Sequence, residues 1–211
     1  MRGVRVAEVF TSIQGESSFA GLPCFFIRLA GCNLRCRYCD TPAAAQRGTP
    51  RPIAGLVARW KKSRAAIAEI TGGEPLLQAG FRELAAGLRD AGRRPVLVET
   101  NGSRDISTIP RGVIAIMDVK CPGSGERAAL DPRNLGRLRP ADEVKFVLAD
   151  RADYLWARRF VRRSGVARAG RAVHFSPVGG RLDASKLARW ILADGLPVRL
   201  HVQRHKCLGL K

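Results

Sequence analysis

The stretch Gly31-Cys32-Asn33-Leu34-Arg35-Cys36-Arg37-Tyr38-Cys39-Asp40-Thr41, GCNLRCRYCDT, sets three of the chain's six cysteines within eight residues in a C-x3-C-x2-C spacing. Three thiolates cannot complete a tetrahedral structural zinc site, which takes four protein ligands. A fourth could come from Cys24, Cys121, Cys207, His174, His201 or His205, so zinc stays open at this point. A cubane iron–sulfur cluster is the other choice, because three thiolates leave one iron with a coordination position free for a ligand. The stretch follows the apolar, β-rich run Cys24–Ala30, which places the thiols on a loop beyond the carboxyl end of a strand.

Outward from that loop the chain alternates between two patterns. Apolar runs fall at Cys24–Ala30, Ala66–Thr71, Pro95–Thr100, Val113–Val119, Glu143–Leu148, Ala172–Ser176 and Pro197–Val202. Helical spacing covers Ile53–Lys62, Phe81–Ala91, Ala152–Ser164 and Ala184–Ala193. Strands separated by helices pair in parallel, and strands covered on both faces read as nearly continuous apolar runs. The expectation is an α/β fold of mostly parallel strands, with Cys121–Pro140 as a long Gly-, Pro- and Arg-rich loop. In such sheets and barrels a ligand sits beyond the carboxyl ends of the strands. The segments Thr71–Pro75, Glu99–Gly102, Asp118–Lys120 and Ser176–Gly180 all fall there beside the cysteine loop.

The 211 residues, 45% of them hydrophobic, suit one compact domain spanning 1–211. No apolar run approaches the length that crosses a bilayer, and no leader pattern stands at Met1, so a cytoplasmic protein is expected. In a reducing compartment clustered cysteines serve as ligands more often than as disulfides. The net charge of +19 could mark a nucleic-acid surface. The basic residues are spread along the whole chain and interleaved with alanine, as in Arg82, Ala85, Ala86 and Arg89, with no basic tail. This reads as compositional bias, and neither a direct nucleic-acid partner nor a membrane is expected.

A second motif, Gly72-Gly73-Glu74-Pro75, ends the next strand. Glycines there let the backbone approach a ligand closely, and Glu74 could meet a bound amine. Taken by itself the motif reads as a turn into a helix. C-x3-C-x2-C with Tyr38 immediately before the last cysteine, joined to this Gly-Gly-Glu-Pro element, resembles the radical S-adenosylmethionine enzymes. Further residues sharpen the likeness: Glu8–Glu16 (EVFTSIQGE), Phe25-Phe26-Ile27-Arg28-Leu29, Cys39-Asp40-Thr41 and a last strand running into His201–Lys206. Together they resemble the 7-carboxy-7-deazaguanine synthase family nearly end to end.

That resemblance implies a shortened, partial (β/α) barrel and a homodimer fed electrons by a flavodoxin- or ferredoxin-type reductant. It implies a [4Fe–4S] cluster on Cys32, Cys36 and Cys39, S-adenosylmethionine, and Mg2+ with Thr41 as a ligand. S-adenosylmethionine contacts would fall at Tyr38, Cys39, Asp40, Gly73, Glu74, Asp118, Val119, Lys120, Ser176, Pro177, Val178 and Gly179. The implied reaction is the ring contraction of 6-carboxy-5,6,7,8-tetrahydropterin with release of ammonia, on the path to queuosine and related deazapurines. Substrate contacts would be Ile13, Gln14, Gly15, Arg28, Thr71 and the terminal carboxylate at Lys211.

The residues themselves are compatible with that substrate. A carboxylated, hydrogen-bond-rich ring needs a fixed cation, and Arg28 near the strand end is well placed to be one. Thr41 before Pro42 also reads as a helix N-cap and N1 pair, which does not conflict with binding a metal through oxygen. The two leucines of Cys207–Lys211 are expected to fold the tail back toward the rim. Ser17 and Ser176 depart from the family's usual glycine and glutamine. Two other classes remain at this stage: a glycyl-radical activating enzyme, and a non-enzymatic metal-binding module that holds RNA.

Overall fold

The computed structural model describes residues 3–45, 48–92, 94–167 and 170–210. The chain runs β1 (Gly3–Ile13), β2 (Pro23–Leu29), β3 (Thr49–Pro52), α1 (Ile53–Lys62), β4 (Ile67–Gly72), α2 (Phe81–Asp90), β5 (Val96–Thr100) and β6 (Val113–Asp118). It continues through α3 (Asn134–Arg137), β7 (Glu143–Leu148), α4 (Arg151–Ser164), β8 (Val173–Pro177), α5 (Ala184–Asp194), β9 (Arg199–Leu200) and α6 (Arg204–Cys207). All described strands join one sheet in the order β3-β1-β2-β4-β5-β6-β7-β8-β9. From β2 to β9 every pairing is parallel, while β1 runs antiparallel to both β2 and β3.

Alternation along the strands decides what each face carries. Ile27, Ile70, Val98, Met117, Phe146 and Phe175 point outward and pack with Leu56, Trp60, Leu84, Leu88, Tyr154 and Leu187 of the surrounding helices. The intervening residues Cys24, Phe26, Ile67, Leu97 and Ile116 form a smaller apolar cluster on the inner face. Burying both faces is what the uninterrupted apolar runs demanded. The loop between β1 and β2 crosses the interior toward the far end of the sheet. Ser18 N–H donates to Glu143 at 3.0 Å, and Arg199 donates to Ser18 Oγ at 2.7 Å. The sheet therefore curls into a partial barrel whose gap is bridged by a loop instead of a strand.

Two strands escaped the apolar-run criterion. In β1 buried Val4 and Val6 alternate with exposed residues, the signature of a half-buried antiparallel strand, and β3 (TPRP) is exposed throughout. A register shift between Val6 and Glu8 then turns Glu8 to the inner face, the usual effect of a bulge on side-chain aim. The last strand is shorter than Pro197–Val202, because the chain leaves the sheet after Leu200 and turns into α6. The segment 121–140 is indeed mostly loop, broken by short 3-10 turns and the single turn α3.

Trp60 ties the outer layer together. Its ring is fully buried, its indole N–H donates to Leu88 O at 3.0 Å, and the Arg94 guanidinium lies 3.5 Å over the ring centroid. Trp60→Ala is expected to cost about 3–5 kcal/mol in denaturant unfolding, the range for removing a buried large aromatic. Leu192→Ala, at a side chain 79% exposed, should stay within about 0.5 kcal/mol.

Candidate active site

At the carboxyl ends of the strands the inner face borders a cavity of about 930 Å³. Six strands contribute their inward positions: Glu8 and Phe10 from β1, Phe26 and Arg28 from β2, Glu69 and Thr71 from β4, Glu99 from β5, Ile116 and Asp118 from β6, Lys145 and Val147 from β7. The lower wall is apolar and flat where Phe10 stacks on Phe26, with centroids 4.9 Å apart.

The cysteine loop forms one side of the mouth. Cys32, Cys36 and Cys39 all border the cavity as free thiols, the first two half-buried and the third exposed. The loop is held by its backbone: Arg37 N–H donates to Ser124 O at 3.0 Å, Arg35 N–H to Glu126 Oε1 at 2.6 Å, and Gly31 N–H to Ala44 O at 2.9 Å. The Tyr38 hydroxyl donates to Val147 O at 3.0 Å, pinning the residue before the last cysteine to β7. Burial pushes the Cys36 thiol up, a cost that a metal would reverse by taking the thiolate. Among the described residues no three His, Cys, Asp or Glu side chains form a site for a single metal ion. Three free thiols on one loop open on one cavity, a donor set that suits an iron–sulfur cluster with one coordination position left for a ligand.

The end of β4 is locked against this loop. Gly72 has φ +136°, and a Cβ there would lie 2.1 Å from Leu29 O; one on Gly73 would lie 2.1 Å from Gly31 O. Only glycines permit the contact, which turns the Gly73 backbone to the cavity. Glu74 departs from the expectation that its carboxylate meets a ligand. It is fully buried, points away from the cavity, and accepts from Thr100 Oγ1 at 2.8 Å, Asn101 N–H at 2.6 Å and Leu76 N–H at 3.1 Å. Burial raises its pKa, and those hydrogen bonds oppose the rise.

Opposite the thiols lies a network of charge. Lys145 Nζ sits between Glu16 Oε2, at 2.6 Å, and Glu99, with Asp118 Oδ2 at 3.9 Å. Lys120 pairs with the same Asp118 oxygen at 2.8 Å, while Asp118 Oδ1 is buried without a described partner. Thr71 Oγ1 donates to Glu99 Oε2 at 3.0 Å, and the Gln14 amide donates to Glu69. Burial disfavours ionised Glu16, but Lys145 outweighs it and holds the carboxyl at about 2. Glu69 has no such partner, and burial with the nearby Glu99 and Glu16 carboxylates raises it well above the carboxylate range. Arg28 faces Glu8 across a loose 3.7 Å contact, its guanidinium 5.7 Å from the Phe10 ring.

The structure thus gathers Ile13, Gln14, Arg28, Thr71, the three cysteines, Tyr38, Asp40, Thr41, Gly73, Asp118, Lys120, Val178 and Gly179 around one cavity. Gly15, Glu74, Val119, Ser176 and Pro177 do not border it. Val119 is in the core, Ser176 Oγ donates to His201 O at 2.9 Å, and Gly15 lies under His205, where a Cβ would come within 1.8 Å of Nδ1. Lys211 lies outside the described residues, although Leu210 beside it does reach the cavity. Glu16, Glu99, Gln203 and His205, given no role within the segments quoted from the sequence, and Glu69 and Lys145, which fall in none of those motifs, also border the cavity. For Glu69, Glu99 and Lys145 the signal was present: a charge within an apolar strand, at the parity of an inward residue, has to face something polar.

Residues 26–117 match the Radical SAM superfamily. The chain is 43% identical over 218 residues to a 7-carboxy-7-deazaguanine synthase of Koribacter versatilis, covering 96% of each. It is 44% identical over 208 residues to that of Chlorobaculum tepidum, covering 96% of this chain and 93% of that protein. The crystal structure of QueE from Escherichia coli shares the fold at a TM-score of 0.78 and 22% identity, over 95% of this chain and 94% of that one. Streptococcus suis SuiB bound to S-adenosylmethionine shares it more loosely, at a TM-score of 0.55 and 13% identity over 82% of this chain and 45% of its own.

The thiol geometry can be tested within the chain. Anaerobically reconstituted Cys36→Ala is expected to lose iron and the brown charge-transfer absorbance, whereas Cys24→Ala, at a buried position beneath the cavity, and Cys207→Ser retain both. Equal loss of iron in the Cys24 variant would mean that the ligand set is wrong.

Proposed function

The chain belongs to the 7-carboxy-7-deazaguanine synthase family of radical S-adenosylmethionine enzymes, and on that footing we propose that it contracts the ring of 6-carboxy-5,6,7,8-tetrahydropterin to 7-carboxy-7-deazaguanine, releasing ammonia with the help of Mg2+. Membership of the family makes it an enzyme of deazapurine biosynthesis, a lyase that uses S-adenosylmethionine and an iron–sulfur cluster. The observation that carries the finer reading is the meeting of Arg28, Gln14 and Thr71 with the three-thiol loop around a single cavity.

Cys32, Cys36 and Cys39 would hold the cluster, which together with S-adenosylmethionine would supply the hydrogen-atom abstraction chemistry of the reaction at the mouth of the cavity. The chain's residues do the rest. Arg28 exchanges its weak contact with Glu8 for the substrate carboxylate, which a guanidinium can grip with two parallel hydrogen bonds. That grip fixes the ring carbon bearing the carboxylate near the cysteine side of the mouth, so orientation and not new chemistry is the protein's part. Ammonia leaves only once its nitrogen has gained a proton, and Lys145, shared between Glu16 and Glu99, keeps one on the cavity wall. Thr41 borders the same cavity, and its hydroxyl is an oxygen donor of the kind Mg2+ accepts while drawing its other ligands from substrate and water.

The reading extends to one domain over residues 1–211 that works as a homodimer with a flavodoxin- or ferredoxin-type electron donor. The pterin is a free small molecule, so the reaction calls for no contact with RNA. No described helix is long and apolar enough to cross a membrane.

Anaerobic incubation of the reconstituted enzyme with the carboxytetrahydropterin, S-adenosylmethionine, Mg2+ and a reductant is expected to yield 7-carboxy-7-deazaguanine by mass. Product from some other substrate and none from this one would replace the reading. In the same assay Arg28→Lys is expected to raise KM at least about 10-fold, because a point charge cannot reproduce the two-pronged grip. An unchanged KM would remove Arg28 from the substrate site.

A further inference from the structure

Six acids border the cavity, and among the described residues five of them face a cation: Glu8 with Arg28, Glu16 and Glu99 with Lys145, Asp118 with Lys120, and Asp40 with Lys206. Glu69 is the sixth, and it forms no ion pair. It lies on β4 two residues below Thr71, in register with Phe26 on one side and Leu97 on the other. Those neighbours are apolar, and the residue is 4% exposed. An isolated carboxylate in such a place would be costly, and the carboxyl avoids the cost by keeping its proton.

The hydrogen bonds say where that proton points. Gln14 Oε1 accepts the Glu16 backbone N–H at 3.0 Å, which sets the orientation of the amide and leaves its NH2 as the group donating to Glu69 Oε2. Oε2 is therefore the acceptor oxygen of the acid. Oε1 has no hydrogen-bond partner among the described residues, and Glu69 borders the cavity. A neutral carboxyl so held presents an O–H donor to whatever fills the space.

We propose that Glu69 is a substrate-contact and specificity residue, a neutral acid that donates from Oε1 to the ring carbonyl at C4 of the bound pterin. This rests on the reading of the substrate given above. Arg28 is taken by the substrate carboxylate, and Lys120, Lys145 and Lys206 hold acidic partners, so the acids of the wall can serve the ring's N–H groups while its carbonyl needs a further donor. Arg28 is in register with Thr71, one inward layer above Glu69 on the neighbouring strand, which separates the two Cα atoms by on the order of 8 Å. With the carboxylate at Arg28 near the mouth, the pyrimidinone end descends beside the Phe10–Phe26 wall toward Glu69.

The test is equilibrium binding of the carboxytetrahydropterin to the reconstituted enzyme with S-adenosylmethionine, under anaerobic conditions and without a reductant, so that no turnover intervenes. Iron content and S-adenosylmethionine binding of each variant serve as folding controls. Glu69→Leu is expected to weaken binding about 10- to 100-fold, whereas Glu69→Gln, which keeps one acceptor and one donor, loses no more than about threefold. An analogue with hydrogen in place of the C4 oxo group should bind the unaltered enzyme about 10- to 100-fold more weakly, and should bind Glu69→Leu no worse than the true substrate does. Equal losses in Glu69→Gln and Glu69→Leu would make the group an ionised acceptor and overturn the proposal. So would undiminished binding of the analogue to the unaltered enzyme, which needs no variant to fold. Failure of the unaltered enzyme to bind the pterin at all would instead overturn the substrate reading, and this inference with it.

Discussion

Two backbone hydrogen bonds carry the site: Gly73 N–H to Leu29 O at 3.2 Å, and Glu74 N–H to Gly31 O at 2.8 Å. They draw the end of β4 so close to the start of the cysteine loop that no side chain fits between. The tie continues outward through Glu74, whose carboxylate holds Thr100 and the Asn101 backbone at the end of β5. It then returns to its origin, since Asn101 Nδ2 donates to Asn33 Oδ1 at 3.2 Å and Asn33 Nδ2 to Ser103 Oγ at 2.9 Å. Three strand ends and the cysteine loop form one closed ring of hydrogen bonds. A loop that has to hold a large prosthetic group in one orientation gains from such a frame, because none of the loop's own residues between Cys32 and Cys39 lies in a helix or strand.

The charge network follows a similar economy. A single buried lysine would be expensive, and so would each of the carboxylates around it, yet Lys145 serves Glu16 and Glu99 together and leans toward Asp118. Burial disfavours the ammonium, but Glu16 and Glu99 more than restore it and hold its pKa well above that of a free lysine. Glu16 stays ionised for the same reason, and Glu69, one neighbour too many for a single cation, does not. The cavity wall thus sets side by side two buried carboxyls that burial pushes up alike, one of which Lys145 pulls down while the other is raised further by its acidic neighbours.

How much of this was legible beforehand depended on whether a signal was local. The cysteine spacing, the parallel strands and the rim were readable because each needs only a short pattern. The strand β1 was hidden by its alternation, and β3 by two prolines and full exposure. Glu74 was misread in direction: a carboxylate after two glycines at a strand end could face either the cavity or the neighbouring strand, and only the position of Thr100 and Asn101 decides. Lys145 and Glu69 were the opposite case. Their parity within β7 and β4 showed that they faced inward, but their partners lie on other strands, and no pattern within one strand could reveal which charge would be left alone.

The same nonlocality gives the end of the chain its significance. Gln203 donates to Glu16, Arg204 N–H donates to Gly15 O at 3.1 Å, and Lys206 reaches Asp40 at 3.1 Å, so α6 spans from the β1–β2 loop to the cysteine loop. Gly15 contributes no cavity surface, and its lack of a side chain is explained by His205 lying against it. What α6 holds down is the segment whose Gln14 orients Glu69 and whose Glu16 steadies Lys145. Residues at opposite ends of the sequence therefore set the geometry of one wall, and a disturbance of α6 would reach the substrate through Gln14 without α6 having to touch the ring.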